Sequence, residues 1–300
     1  MNKFKYNKYK LITNSVYGFQ MLKPKPTIKE IEDFYKTKYF EKAKKRGGHK
    51  EGKLICNGVE RDTELKWLEE TLYKDILEFI ENQIIGKSKL IIDVGCGTGD
   101  FIKFAEKAGW IVVGIEPSRK AYEKGKKIGL KHLYNTTLEK YIIRGRTKFF
   151  DVVILMDILH HVPDPKKILR LCKKLLKPQG IICVRDPNEF NEFQCCAQRK
   201  LNKKPWWIIP PEHINYFNFS SEEKLIKSCG FKIIHKTTDF PMELFLLMGD
   251  DYVNNSEIGK QCHQKRINFE LSIPTELRRN IYNKLAELGL GRSSIIYAKK

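Results

Sequence analysis

Asp93-Val94-Gly95-Cys96-Gly97-Thr98-Gly99 is the stretch that decides how this chain folds. It follows the apolar run Leu90 to Val94 and precedes a segment with Phe101, Phe104 and Ala105 on one helical face. The run reads as a buried strand and the segment as an amphipathic helix. Glycines at alternate positions permit positive φ and let a ligand approach the main chain closely. In open α/β sheets, ligands bind beyond the carboxyl ends of the strands, where such a turn lies. Two phosphate-binding patterns fail. The dinucleotide turn G-x-G-x-x-G would need glycine at Asp100, and a P-loop would need Gly-Lys-Ser/Thr.

Outward from the turn, strands and helices alternate. Strands are predicted at 90–94, 111–115, 131–134, 150–156, 181–184, 231–234 and 293–298. Helices are predicted at 99–108, 118–127 and 165–177, the last opened by Asp164 and Pro165 and stopped by Pro178 and Gly180. Ser220 and Glu223 read as a capping box for a helix ending at Gly230. Upstream, residues 1–22 suggest an irregular hairpin turning at Gly18. A helix over 28–38, a polar glycine-rich loop over 41–61 and an amphipathic helix capped by Asp62 follow. Residues 241–292 are mostly helical in pattern, with Leu277, Ile281, Leu285 and Leu288 at helical spacing. Such alternation implies α/β architecture, a doubly wound seven-stranded sheet covered on both faces. The chain divides into an N-terminal helical leader (1–85), a core (86–240 plus 293–300) and a helical insertion before the last strand (241–292).

The spacing D-x-G-x-G-x-G resembles motif I of the class I S-adenosylmethionine (SAM) dependent methyltransferases. Glu116 ends the next strand, 17 residues after Gly99, where a carboxylate can accept from ribose hydroxyls. Phe150 to Pro165, with Met156-Asp157-Ile158-Leu159-His160-His161-Val162, is similar to the segment after the family's fourth strand. Leu175-Leu176-Lys177-Pro178-Gln179-Gly180 resembles its "L-K-P-G-G" turn, with Gln179 replacing one glycine. Together these cover about residues 88–186. Pro211-Glu212-His213-Ile214-Asn215-Tyr216-Phe217, followed by Gly230-Phe231, resembles features of small-molecule O- and C-methyltransferases of the ubiquinone-biosynthesis-like, sugar- and polysaccharide-associated kind. Gly18-Phe19, Phe34-Tyr35 and Tyr39-Phe40 resemble the leader of such relatives.

The resemblance implies a Rossmann-like fold with SAM as cofactor and S-adenosylhomocysteine as product. It places Asp93, Gly95, Cys96 and Gly97 around the methionine part of SAM, Glu116 on the ribose and Pro117 beside the adenine. The acid that often contacts the adenine is missing from Asn135-Thr136-Thr137-Leu138, so Thr137 and Leu138 stand there. Met156 and Asp157 would line the methyl-transfer site. Methyl transfer is an in-line displacement that depends on alignment, and a hydroxyl nucleophile gains from a base near neutrality, such as histidine. His161 and His213 are the candidate catalytic residues, each with an alternative role as a structural hydrogen-bonding group, and His160 is a neighbour. Tyr39 and Phe40 are lid candidates or ordinary packing. Trp206 and Trp207 line an acceptor pocket or anchor a loop. Arg266, Arg278, Arg279 and Arg292 hold an anionic acceptor or are solvated surface charge.

Composition narrows the rest. At 300 residues and 41% hydrophobic, the chain can bury a full core. It has no apolar run long enough for a membrane span and no secretory h-region, so a cytoplasmic protein is expected. Its 56 basic and 36 acidic residues give +20, with lysine far outnumbering arginine. Residues 1–53 hold +10 of that excess, and Lys3 to Lys10 interleaves cations with aromatics as single-strand nucleic-acid binders do. An RNA methyltransferase is therefore the rival reading, weakened by the lack of an RNA-binding module. A non-catalytic SAM-binding protein is a third. The eight cysteines include no C-x-x-C pair and none precedes Cys56, so reduced thiols and no metal are expected. The acceptor, and whether it is anionic, is not written in the sequence.

Overall fold

The computed structural model describes residues 5–6, 8–33, 59–84, 89–143, 145 and 148–300. The expected loop at 41–58, the lid candidates Tyr39 and Phe40, Phe34, Tyr35, Cys56, Lys3 and Phe4 lie outside the described residues.

Eleven strands of the described residues form two sheets. The leader contributes β1 (Lys5–Tyr6), β2 (Tyr9–Thr13) and β3 (Gln20–Lys23). These pair antiparallel with one another and with β9 (Asn215–Tyr216) in the order β1-β2-β3-β9. The hairpin expected in residues 1–22 is present. Asn14 Oδ1 accepts from the Val16 and Tyr17 N–H groups, and Gly18 supplies φ +88°. The leader is thus strand first, with the short helix α1 (Ile28–Asp33) after it, rather than helical throughout.

The main sheet is built from β4 (Leu90–Val94), β5 (Ile111–Ile115), β6 (Leu133–Tyr134), β7 (Phe150–Met156), β8 (Leu176–Pro187), β10 (Lys232–Thr237) and β11 (Ser293–Lys299). Its order is β10-β11-β8-β7-β4-β5-β6. All neighbours are parallel except β11, which runs antiparallel to both β8 and β10. This is the doubly wound, Rossmann-like seven-stranded sheet of the sequence reading. Successive residues of a strand face opposite sides, so Val153 and Leu155 enter one core cluster while Val152 and Ile154 enter the other. The turns after β4 and β7 emerge at the carboxyl ends of neighbouring strands.

Helices α2 (Val59–Leu68) and α3 (Lys74–Glu81) are joined by a π-helical turn, Glu69–Tyr73. The helix starts before Asp62, which lies inside it. Across the sheet follow α4 (Asp100–Lys107), α5 (Arg119–Lys127), α6 (Leu138–Ile143), α7 (Pro165–Leu175), α8 (Glu192–Lys200) and α9 (Phe219–Ser228). Asp164 caps α7 as expected, but the helix ends at Leu175. Leu176 is already extended, and the residue before Pro178 is excluded from helical backbone. Gln179 takes φ +63°, the conformation for which glycine is the easier residue. The capping box of α9 is Asn218 with Ser221, not Ser220 with Glu223. An asparagine caps as well as a serine, and Glu223 instead pairs with Lys227 and Lys236.

The insertion contributes α10 (Glu243–Met248), α11 (Ser256–Ser272) and α12 (Thr275–Glu287). Its expected apolar stripe is not the packed face of α12. Leu277 and Leu288 are 49% and 73% exposed, and the buried positions are Arg278, Tyr282 and Ala286. Carboxylates on neighbouring helices draw that face inward. Arg278 donates to both oxygens of Asp75 at 2.9 Å, and Tyr282 donates to Glu270 at 2.5 Å. No helix among the described residues is long and apolar enough to cross a membrane.

The reversed face gives a test. Arg278→Ala removes the bidentate partner of Asp75, which keeps only Arg279, and should lower unfolding free energy by about 1–3 kcal/mol. Leu277→Ala should cost under about 0.5 kcal/mol. Urea midpoints of the two variants measure the contrast, and equal losses would contradict this packing.

Candidate active site

The glycine turn leaves β4 with φ +71°, +58° and +79° at Gly95, Gly97 and Gly99. The three are not equivalent. A Cβ at Gly95 would sit 2.3 Å from Ile158 Cδ1, whereas one at Gly97 would meet nothing within 4 Å. Gly95 is therefore small for packing, and Gly97 borders open space in which a ligand can lie against the backbone. Glu116, at the end of β5, holds the turn. Its carboxylate accepts from Gly97 N–H at 2.8 Å and Ser118 N–H at 2.6 Å. Burial raises the Glu116 pKa, and these two N–H groups oppose the rise. Asp93 is buried at 2% exposure in β4, Cys96 is half-buried with its thiol pushed up by burial, and Pro117 is exposed on the rim. Thr137 opens α6, its hydroxyl accepting from Lys140 N–H at 3.4 Å. Leu138, next to it, is buried. It is 4% exposed in the core cluster with Ile115 and Tyr141, on the inward face of α6.

Met156 and Asp157 mark the mouth of β7. Asp157 takes φ +57° and donates its N–H to Arg185 O at 2.6 Å. Its carboxylate is held by Arg185 Nη1 at 2.8 and 2.9 Å, while Arg185 Nη2 donates to Asp239 at 2.7 Å. Burial alone would raise Asp239, but Arg185 and Arg266 overcome it and hold its pKa below the ordinary value. From Asp239 the charges continue to alternate. Arg266 reaches Asp239 at 3.7 Å and Glu270 at 3.3 Å, and Trp67 Nε1 donates to Glu270 at 2.7 Å.

After Asp157 the chain carries His160 and His161, and the Pro211–Phe217 segment brings His213 beside them. Ring centroids are 3.8 Å (His160–His161), 4.5 Å (His160–His213) and 5.2 Å (His161–His213) apart. Asp186 Oδ1 receives both the His160 N–H (3.1 Å) and ring Nδ1 (2.5 Å). His161 Nδ1 lies 2.7 Å from Glu212 O. Backbone bonds lock the two segments together, since Ile214 and Asn215 N–H both donate to His160 O. Asn215 Nδ2 adds bonds to Leu159 O and Val162 O.

All three rings border a cavity of 760 Å³, whose wall also includes Asp157, Arg185, Trp206 and Trp207. Residues from α2 to α3 and from the insertion complete it, among them Trp67, Phe79, Tyr252 and Arg266. Trp207 lines the cavity and also packs, at 3% exposure, with Tyr9, Leu22 and Tyr216. The four arginines named from the sequence also reach this wall, Arg266 and Arg278 buried and Arg279 and Arg292 partly exposed, and each is paired with a carboxylate. Arg266 has Glu270, Arg278 has Asp75, Arg279 has Asp75 and Glu78, and Arg292 has Glu243. Part of the basic N-terminus is likewise engaged. Lys8 pairs with Glu30, and Tyr9 is buried at 6% exposure with its hydroxyl on Glu30. The seven described cysteines are free thiols.

This sheet order, with a glycine turn after its first strand and a carboxylate ending the second, defines a class I SAM-dependent methyltransferase. A family model described as a methyltransferase domain matches residues 65–236, more than half of the chain, and the chain belongs to that family. Its cofactor is SAM. The "Ubiquinone biosynthesis O-methyltransferase" of Pasteurella multocida is 37% identical over 120 residues, which are 35% of this chain and 50% of that protein. The protein of the same name from Coxiella burnetii is 36% identical over 107 residues, 35% of this chain and 46% of its own. The chain thus spans about half the length of the curated relatives it matches. Among solved structures, an Archaeoglobus fulgidus SAM-dependent methyltransferase superposes with TM-score 0.54 at 17% identity, over 88% of this chain and 100% of that one. The plantazolicin methyltransferase BamL, solved with a desmethylPZN analog and SAH, gives 0.53 at 15% identity, over 91% and 99%. These two likenesses concern the fold.

Sequence reasoning missed Arg185, Asp186, Asp239 and Glu222. Arg185 and Asp186 lie just past the expected strand 181–184, in the part of β8 that runs on to Pro187, and carried no motif. Behind Asp186, the fully buried Glu222 is raised by burial to about 8 and hydrogen-bonds Asp186, with Ser294 as its other partner. Unfolded, this acid returns to its ordinary value near 4.5. The folded state therefore holds a proton that the unfolded state releases. Its stabilisation is complete below about 4.5 and is lost as pH rises through about 8, at up to roughly 1.4 kcal/mol per pH unit. Urea unfolding across pH 5–8 should show that slope, and Glu222→Gln should flatten it. An unchanged slope in the variant would contradict a protonated Glu222.

Proposed function

We propose that this protein transfers the methyl group of SAM to a hydroxyl of a neutral, ring-bearing small molecule, a sugar or comparable metabolite. The observation that carries the reading is the three-imidazole cluster, which borders a large cavity and follows Asp157 at the mouth of β7, next to the glycine turn of β4. Asp93, Gly95, Cys96, Gly97, Glu116, Pro117, Thr137, Met156 and Asp157 form the cofactor side. The open space at Gly97 and the anchored carboxylate of Glu116 suit a ribose and a methionine chain. The leader and α2–α3 together with the insertion (241–292) form the acceptor side.

SAM supplies a methyl group on a sulfonium sulfur that leaves as a neutral thioether. The chain's own residues do the rest. Trp67, Trp206 and Trp207 offer ring faces and a water-poor wall to the acceptor. His161 and His213 are the catalytic residues, engaging the hydroxyl and drawing off its proton as the oxygen–carbon bond forms. His160, fixed by Asp186, positions them. The relatives named for O-methylation agree with a hydroxyl nucleophile. An anionic acceptor is disfavoured because each named arginine on the wall already has a carboxylate.

Two measurements test this. Calorimetry should show SAM binding that Glu116→Ala weakens at least tenfold, because the turn loses its tie and the ribose its acceptor. Equal affinity would overturn the cofactor assignment. His161→Ala should lower kcat about 10²-fold or more, with SAM affinity unchanged, as removal of a proton-handling group does. Full turnover, read as S-adenosylhomocysteine release with hydroxylated acceptors, would demote His161 to a structural role.

A further inference from the structure

We propose that His160, His161 and His213 form the binding site of a divalent transition-metal ion of the zinc type, open on its fourth side to the acceptor cavity. One ligand nitrogen from each ring lies within 4.8 Å of the others. Three imidazoles around such an ion stand roughly 3.4 Å apart, from metal–nitrogen distances near 2.05 Å in a tetrahedron. Small ring rotations close the difference.

The surroundings are those of a ligand set rather than of three stacked rings. Metal-bound histidines donate their other ring nitrogen to a carboxylate or a main-chain carbonyl, which fixes the tautomer. Here Nδ1 of His160 is on Asp186 and Nδ1 of His161 is on Glu212 O, so Nε2 is the metal-facing atom of each. Two kinds of bond hold the ligand segments at fixed separation. Ile214 and Asn215 donate to His160 O, and the Asn215 side chain bonds Leu159 O and Val162 O. Imidazole donors favour zinc, copper, iron or nickel over magnesium or calcium. A site of three protein ligands with one side open is the catalytic kind. The sequence, judged on its cysteines, predicts no metal. These histidines come together only in the fold.

The proposal rests on the acceptor-site reading above and revises one step of it: with the ion bound, His161 and His213 act on the hydroxyl as ligands of the ion and not as proton acceptors. The acceptor oxygen would be the fourth ligand. On the ion its O–H bond breaks more readily, the electron pair stays on oxygen and the proton leaves to cavity water. The oxygen then attacks the methyl carbon of SAM, whose carbon–sulfur bond breaks with its pair on sulfur.

The test uses the full chain, stripped with a chelator and titrated with Co²⁺. The expected result is one ion per chain with the intense visible ligand-field bands of four-coordinate cobalt. Zn²⁺ should displace it. His213→Ala should abolish the bands, and Asp186→Asn, which keeps the fold of the three rings but loses the carboxylate, should weaken binding about tenfold to a hundredfold. SAM calorimetry on the same samples keeps the readings apart. Wild-type protein that binds SAM but shows no cobalt bands and no stoichiometric metal would overturn the metal site. Cobalt bands without SAM binding would overturn the cofactor reading and leave the metal site standing.

Discussion

The bond between Asp186 and His160 constrains the whole acceptor side. Asp186 has no exposure at all, and a carboxylate taken out of water is costly unless its oxygens are satisfied. One oxygen receives two donors from a single residue, the main-chain N–H and the ring of His160. Glu222, its pKa raised by burial, hydrogen-bonds Asp186 from behind and is itself fastened to Ser294 on β11. Three neighbouring elements of the sheet and its loops are thereby tied at one point. The orientation of the first imidazole follows from it, and the other two are placed by packing and backbone bonds to His160.

Arg185, one residue earlier in β8, points to the opposite side and organises a second network. It bridges Asp157 to Asp239, and Arg266 carries the alternation on to Glu270. A buried ion pair is weak support for net stability, because desolvation offsets most of the attraction. Its effect is geometric. Asp157 at the mouth of β7, Asp239 after β10 and Glu270 in the insertion are held in one register, so the insertion cannot drift from the sheet without stranding charges. The sheet and the insertion are coupled through these residues rather than through apolar packing alone.

The sheet was legible because strand-length apolar runs and the spacing D-x-G-x-G-x-G are local signals. All seven strands of the main sheet were placed, as were Asp164 as a cap and the early hairpin. What failed was the packing of polar side chains. In α12 the leucines lie outward and Arg278 inward, because the identity of the buried face depends on Asp75 and Glu270 from other elements. Likewise Leu138 belongs to the core, and the capping residue of α9 is Asn218, two positions before the expected serine. His160, His161 and His213 were each visible as residues, but their adjacency depends on β9 pairing with the leader hairpin and on Asn215 reaching Leu159 and Val162. No local pattern encodes that closure.

The charge of +20 now reads differently from a pointer to nucleic acid. No lysine lines the cavity among the described residues, and the arginines named above face carboxylates: Arg266 one on its own helix, Arg278 and Arg292 ones on other helices. A phosphate or carboxylate entering there would have to displace an existing acid from a guanidinium and leave that acid buried and unpaired, at a cost of several kcal/mol. A neutral hydroxyl compound meets no such barrier. It is offered tryptophan faces and three imidazoles, two of which are oriented through Nδ1 by Asp186 and the Glu212 carbonyl. Among the described residues the excess positive charge thus does not reach the cavity as free lysine, which accords with the neutral acceptor proposed above.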